Sequence, residues 1–430
     1  MSEVMKIGIA GVGTVGAETI RVLKENAALL TARTGRPIEV VAVSARYRGR
    51  DRGVDLSEID WVDNALDLAA RDDIEVVVEL IGGSEGIAKD LVEAALGAGK
   101  SVVTANKALV AHHGAALGRT AEKHDVVLAY ESAVAGGIPI IKTLREGLSA
   151  NRVERVYGIL NGTCNYILTV MRETGRPFAD VLVDAQELGY AEADPAFDID
   201  GVDAAHKLAI LSAIAFGSEI DFDAVDIEGI RHVSPIDLEF AEELGYRIKL
   251  LGIAERTASG VQQRVRPCMV PKAAQIAQVD GVFNAVAAEG SSVGSTLSYG
   301  RGAGGGPTAS AVIADLVDIG AGRRTPVFGV PGSALKVSAA APIDSLVGSY
   351  YLRLTVFDRP GVLADLTAVF RDEQVSVEAM IQRGRDPNEL VPVVLITHET
   401  EEAAIRRSVT KINKLRSVTE EPRILRIEAI

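Results

Sequence analysis

Over the first third of the chain, short continuous apolar runs alternate with longer stretches whose apolar residues recur every three to four positions. Lys6–Ala10, Glu39–Val43, Glu75–Leu80 and Ser101–Thr104 are of the first kind, and Ala17–Leu30 and Ile87–Leu96 of the second. Short apolar runs bounded by turn residues read as strands buried on both faces, and the longer period reads as helices packed on them. The pattern therefore predicts an α/β domain with a doubly wound, mostly parallel sheet, continued by a further helix that leads into Val126–Tyr130.

Beyond this region the pattern changes. Arg155–Leu160 reads as a strand, Thr163–Arg172 as a helix, and another helix follows Pro177. Ser234-Pro235 starts a helix, with serine as N-cap and proline in the first turn. Leu250–Ala254, Gln262–Pro267 and Val282–Ala287 read as antiparallel strands of a mixed sheet that covers a pocket and forms a subunit contact. Gly300–Gly306 is too rich in glycine for the interior of a helix or strand, and Pro307–Ile319 is a helix returning to the first domain. After a linker at Ser338–Pro342 come Tyr351–Phe357, a helix to Phe370, Val375–Ile381, Val391–Thr397, a helix over Glu401–Leu415, and Arg423–Ile427. This β-α-β-β-α-β order is ferredoxin-like and suggests a separate module. The expected division is 1–130 with a return helix in 305–325, then an α+β domain at 131–304, a linker at 326–345 and the module at 346–430.

Composition narrows the class. At 430 residues the chain has room for two or three cores. A formal charge of −14 argues against a nucleic-acid partner, which needs a basic surface. No apolar run approaches the roughly 18–20 residues that span a bilayer. Cys164 and Cys268 form neither a disulfide framework nor a zinc spacing, and Met1–Lys6 lacks the layout of a signal peptide. The expectation is a cytoplasmic protein with no membrane partner.

Candidate chemistry lies in two places. Gly11-Val12-Gly13-Thr14-Val15-Gly16 follows a strand and opens a helix, the context a dinucleotide fingerprint requires. Gly11 permits the turn, Gly13 lets the backbone approach a pyrophosphate, and Gly16 lets the helix pack on the strand. The second strand ends in Ser44-Ala45-Arg46-Tyr47-Arg48 rather than in an acid. Arg46 and Arg48 suit a 2′-phosphate, which favours NADP(H) over NAD(H). Ile81–Gly83, with Gly82, and Thr104–Lys107 also lie at strand carboxyl ends, where such sheets bind ligands. The second place is Glu187–Lys207, with acids at Glu187, Glu192, Asp194, Asp198, Asp200 and Asp203 before the first cation, Lys207. Asp203 and Lys207, four residues apart, share a helix face. Taken alone, this is either a solvated acidic surface or a pocket for a small ammonium-bearing substrate. The apolar continuation Leu208–Ile214 favours a buried helix. His206 points to another face and reads as a packing residue. Asp198-Ile199-Asp200-Gly201 lacks the remaining ligand spacing of a calcium loop.

Val103–Lys107, Glu131–Pro139, Gly158–Ile167, Glu187–Leu208 and Gly300–Thr308, in this order, resemble the homoserine dehydrogenases. The resemblance implies reduction of L-aspartate 4-semialdehyde to L-homoserine with NAD(P)H, on the route to threonine and methionine. It implies Lys207 as proton donor and Asp203 at the substrate hydroxyl or an ordered water, with Lys107 a second candidate for polarising the oxygen. Glu192 would bind the substrate ammonium, supported by Asp198, and Gly189 and Gly304 would lie near the cofactor. Glu131, Val134, Gly136 and Ile138 would hold a monovalent cation, Na+ or K+; the alternative for that segment is a plain glycine-rich hinge. The terminal module, with Asp358-Arg359-Pro360-Gly361, resembles an ACT domain, which binds amino acids between paired copies. That implies L-threonine as effector of a homodimer or homotetramer. Two other readings are a dehydrogenase for a different amino acid or semialdehyde, and a non-catalytic sensor. The presence of the lysines and their carboxylates counts against the sensor.

Overall fold

The structure, a computed structural model, describes residues 4–383 and 390–430. Residues 1–3, where the N-terminal stretch begins, and 384–389, inside the C-terminal module, lie outside the described residues. No helix among the described residues is long and apolar enough to cross a membrane.

The first domain is a parallel sheet in the spatial order Asp60–Trp61, Ile38–Ser44, Met5–Ala10, Val76–Glu79, Ser101–Thr104, Leu128–Ala129. This is the Rossmann-type arrangement, and its order reverses between Met5–Ala10 and Val76–Glu79. Ile7, Ile9, Val43, Val76 and Val78 are buried, as strands covered on both faces must be. The helix expected over Ala17–Leu30 is two helices, Thr14–Glu25 and Ala27–Thr34. Asn26 leaves helical geometry between them while its N–H still bonds to Val22 O. The periodicity persists through such a break because both pieces pack their apolar residues on the same sheet.

The helix Gly305–Gly320 returns to this domain, where Val312, Ile313 and Leu316 join the core of Ile7, Ile9, Ile20 and Leu23. The preceding glycine-rich stretch departs from expectation. Gly300 and Arg301 end a strand, Gly294–Arg301, and Gly305 and Gly306 already lie in the helix, so only 302–304 is turn. The strand survives its glycine because its partner Phe283–Gly290 provides a full antiparallel ladder.

The second sheet is mixed. It runs Gly294–Arg301, Phe283–Gly290, Val153–Ile159, Tyr246–Thr257, Gly260–Pro271, Arg423–Ile427, Val347–Phe357, Leu390–Thr397, Val377–Gln382. The C-terminal β-α-β-β-α-β module has the expected order but is not a detached unit. Its last strand pairs in parallel with Gly260–Pro271 of the same sheet, Cys268 beside Arg426 and Met269 beside Ile427. Two buried ion pairs lock the seam. Arg264 donates from Nε and Nη2 to Glu428 at 3.1 and 3.0 Å. Arg353 Nε donates to Asp237 at 2.6 Å, and Asp237 also completes the capping box with Ser234.

Breaking a buried pair by removing one partner strands the other charge, at a cost of about 3–5 kcal/mol. Glu428→Gln should therefore unfold at lower denaturant than the parent, with the C-terminal module separating first. Unchanged unfolding by fluorescence and circular dichroism would show that the seam does not depend on this pair.

Candidate active site

The cleft above the strand reversal is shaped by close backbone approach. A Cβ on Gly11, whose φ is +99°, would lie 2.4 Å from Leu80 O, and one on Gly16 would lie 2.1 Å from Gly11 O. Both positions exclude a side chain. A Cβ on Gly13 would meet nothing within 4 Å, so that face of the turn is open, and Thr14 and Val15 start the helix behind it. Open amides at a helix N-terminus, with no side chain to block them, fit a pyrophosphate. Gly305 abuts Thr14, which brings Gly304 beside this turn.

Two residues that sequence reasoning did not single out hold the facing loops. Glu79, fully buried, accepts N–H bonds from Ile81 at 2.7 Å and Gly82 at 3.0 Å and the hydroxyl of Thr104 at 2.6 Å. Asn106 donates to Gly83 O at 2.7 Å and caps the helix Lys107–Lys123 by accepting from Leu109 N. An acid within the otherwise apolar run Val76–Ile81 was the available signal for Glu79.

Beside the second strand, Arg48, Arg50, Arg52 and Trp61 line a cavity of about 330 Å³. Arg46 is exposed and is not among the lining residues. Arg52, also missed, donates from Nε to Val12 O at 3.0 Å and from its Nη atoms to the carbonyls of Arg50 and Tyr47. It ties the basic loop to the glycine turn. Its signal was the alternation of arginines from 46 to 52.

The centre of the site is Asp203. Every residue from Asp203 to Ile214 of the helix Val202–Phe216 is buried. The solvated-surface reading of this helix is therefore excluded. Asp203 shares its carboxylate between two ammonium groups: Lys107 at 2.8 Å and Lys207 at 2.7 Å. Lys207 Nζ also donates to Leu160 O at 2.7 Å, and Asn284 Nδ2 donates to the same carbonyl at 3.0 Å. Asn161 Nδ2 bridges Asp198 and Asp203, at 2.8 Å to each, while its Oδ1 caps the helix Gly162–Thr174. Asn161 was read only as part of a turn; its double role as cap and bridge needs the fold.

The electrostatics follow from this crowding. Burial alone would raise the Asp203 carboxyl, but Lys207 and Lys107 outweigh it and hold the group well below the usual carboxylate range. Burial pushes Lys207 down; Asp203 only partly offsets this, and Lys107 adds to the lowering. For Lys107 burial also lowers, but Asp203, Asp198 and Glu192 outweigh it and the net shift is upward. The side chains are 10% exposed for Lys207 and 33% for Lys107, so Lys107 sits at the mouth, over the ring of Phe197, and Lys207 at the floor. Asp198 is raised by burial and by Asp203.

Glu192 is exposed, on the loop after the helix Phe178–Glu187 that also carries Gly189. His206 is buried, stacked on Phe222 and 3.1 Å from His112 Nε2. Burial first, and His112 second, push its pKa down to about 4. Glu131 is away from this centre. Its two oxygens accept the N–H groups of Ile141 and Lys142, each at 2.9 Å, and Ile138 O accepts from Ile140 N. Burial and Asp315 push Glu131 up to about 7.

Two lysines sharing one buried carboxylate beside a dinucleotide cleft can position an oxygen and supply it a proton. The same arrangement of chain segments is found in known proteins. Residues 139–317 match the family described as homoserine dehydrogenase, residues 11–131 its NAD-binding domain, and residues 350–416 the ACT domain. The chain is 45% identical to homoserine dehydrogenases of Neisseria gonorrhoeae and Pseudomonas aeruginosa, over 99% of both chains in each case. It is 46% identical to a homoserine dehydrogenase crystal structure from Thiobacillus denitrificans, with a TM-score of 0.93 over 99% of this chain and 98% of that one. A hyperthermophilic archaeal homoserine dehydrogenase solved in complex with NADPH is 28% identical, with a TM-score of 0.63 over 74% of this chain and 97% of that one. Alike in sequence over its whole length and in fold down to the terminal module, the chain belongs to the homoserine dehydrogenase family, oxidoreductases acting on the CH–OH group of homoserine.

Proposed function

We propose that the chain interconverts L-aspartate 4-semialdehyde and L-homoserine reversibly with NADP(H) preferred, that Lys207 is the proton donor, and that L-threonine regulates it. The observation that carries the donor role is the use of Lys207's protons. Of three donors on its ammonium, one goes to Asp203 and one to Leu160 O, and among the described residues the third has no protein partner. The cofactor, when bound, supplies or accepts the hydride. Lys207 gives the third proton to the oxygen that gains charge as the aldehyde is reduced, and takes it back in the reverse direction. Asp203 fixes the ammonium in place, Lys107 adds positive charge at the mouth, and Asp198 and Glu192 take the substrate ammonium. Gly189 and Gly304 border the cofactor. The chain divides for these tasks into 1–130 with 305–325, 131–304, a linker at 326–345, and 346–430.

A lowered amine must still be protonated to donate. Reduction should lose rate as pH rises through the Lys207 pKa, which lies below the ordinary 10.5, while homoserine oxidation gains rate there. Lys207→Ala should cut kcat about 10²–10⁴-fold and erase that alkaline limb. Normal turnover in this variant, with loss in Lys107→Ala instead, would move the donor to Lys107.

Cofactor preference rests on the arginine-lined cavity and on the lack of an acid at the end of Ile38–Ser44. Losing one charge-assisted bond to a 2′-phosphate costs about 1.5–3 kcal/mol. Arg48→Ala should raise KM for NADP+ about tenfold or more and leave KM for NAD+ unchanged. Equal changes for both cofactors would assign Arg48 to the adenosine in general and remove it from the discrimination.

Glu131 and the carbonyls of Val134, Gly136 and Ile138 hold Na+ or K+ in this reading. Its support is the charge balance: Glu131, pushed up to about 7, binds more protons folded than unfolded between its ordinary 4.5 and that value. Stability accordingly falls as pH rises through this window, and a cation bound only to the ionised form restores it above. At pH 8, replacing tetramethylammonium chloride with KCl or NaCl should raise Tm, and Glu131→Gln should abolish the rise. A cation response that persists in the variant would place the ion elsewhere.

A further inference from the structure

The strand Phe283–Gly290 is apolar through Ala288 except at Asn284, which is 2% exposed. A buried amide costs stability unless it is hydrogen-bonded. Asn284 bonds to Leu160 O at 3.0 Å, the same carbonyl that accepts from Lys207 at 2.7 Å. A carbonyl oxygen can only accept, so the end of the amide that faces it is the NH2, which fixes the orientation of the side chain. The sheet brings the two residues together. Ala285 pairs with Ile159 and Val286 with Gly158, so Asn284 and Leu160 are the next residues beyond the end of that ladder.

The side chain is held from the cofactor side as well. Asn284 pairs with Gly300 in the outer ladder, and a Cβ on Gly302, two residues further, would overlap Asn284 Cγ and Nδ2. A Cβ on Gly162 would lie 3.5 Å from Asn284 Oδ1. The turn 302–304 leads into the helix Gly305–Gly320, whose Gly305 packs on Thr14 of the glycine turn. Asn284 thus stands between the loop that borders the dinucleotide cleft and the floor of the active site.

Leu160 O has two lone pairs, and both are used. Two donors on one acceptor weaken each other, because each draws on the same electron density. A hydrogen bond accepted from an ammonium favours its charged form. Sharing the carbonyl with Asn284 therefore holds the Lys207 proton less tightly than sole use of it would, and fixes the lone pair that remains. The other charged groups that face Lys207 are Asp203 on its own helix, Lys107 from the helix Lys107–Lys123 and Asp198 from the helix Ala196–Ile199. The nearby Cys164 thiol is kept neutral, because burial pushes its pKa up. None of these is altered by a substitution at 284.

We propose that Asn284 is a positioning residue for the reaction, which through Leu160 O orients the Lys207 ammonium and loosens its hold on the transferred proton, a role that rests on the reading of Lys207 as proton donor.

The test is the pH profile of kcat in both directions, on the full chain. Asn284→Leu keeps roughly the side-chain volume and removes the donor, and Asn284→Ala removes it without added bulk. Gly302→Ala pushes the amide off Leu160 O from the other side. In each variant Leu160 O serves Lys207 alone, and the alkaline limb of semialdehyde reduction should move up by about half to one pH unit. The rise in homoserine oxidation should move up with it, and kcat on each plateau should fall about two- to tenfold. In a Lys207→Ala background the Asn284 substitutions should cost almost nothing further, because residues that act as a unit are not additive. A limb at the parental pH in all three variants, while Lys207→Ala still abolishes it, would overturn the role of Asn284 and leave Lys207 as donor. The same fall in kcat with and without Lys207 would make Asn284 a packing residue and overturn it equally. A limb that survives Lys207→Ala removes the donor reading itself, and the role of Asn284 with it.

Discussion

The structure turns on one carboxylate between two ammonium groups. Asp203 and Lys207 belong to the buried helix Val202–Phe216, and Lys107 to the first turn of a helix in the dinucleotide domain. The buried acid is tolerable only while its lysines stay with it, because Asp203 or the buried Lys207 alone would carry an uncompensated charge in a poorly solvated place. The triad therefore does two jobs. It keeps the two domains in register across the cleft, and it sets different proton affinities for its lysines. The proton affinity of Lys107 at the mouth is shifted up and that of Lys207 at the floor is shifted down. In the proposed mechanism that asymmetry serves an oxygen that gains charge in one direction and loses it in the other.

Around the triad, buried polar side chains fix the loops of the cleft. Glu79 holds Ile81, Gly82 and Thr104; Asn106 joins the next loop to Gly83; Asn161 caps one helix and bridges Asp198 to Asp203. Each is buried and each satisfies several partners at once, which rigidifies the surroundings of the cleft. The second structural theme is the continuous sheet. Pairing of Arg423–Ile427 with Gly260–Pro271 makes the C-terminal module an extension of the catalytic domain. The same strand Gly260–Pro271 also pairs with Val225–Ile227, and the following Gly229 packs on Ile199 and Asp200.

Much of this was legible from local pattern. The parallel sheet, the glycine turn and the module's strand order follow from apolar periodicity and turn chemistry, which act over a few residues and leave a mark in sequence. Asp203 and Lys207 were legible as a pair because a helix brings i and i+4 together. Errors came where partners distant in the chain decide the outcome. Gly300 sits in a strand because Phe283–Gly290 pairs with it. The pairing of the terminal module's last strand with Gly260–Pro271 left no local mark because the two lie some 150 residues apart. The backbone N–H groups that Glu131 accepts, from Ile141 and Lys142, were likewise not legible, because the turn that presents them forms only in the fold.

The sequence by itself determined the class of chain: a dinucleotide-binding α/β domain, a mixed-sheet domain and a ferredoxin-like module, with an acid and a lysine one helical turn apart. Only the tertiary structure decided that these two residues are buried, that Lys107 completes them from another domain, and that Asn161, Glu79 and Arg52 hold the cleft. The reason is physical. Periodicity and turn preference are properties of neighbouring residues, whereas burial, shared hydrogen bonds and shifted proton affinities belong to groups brought together from far apart in the chain.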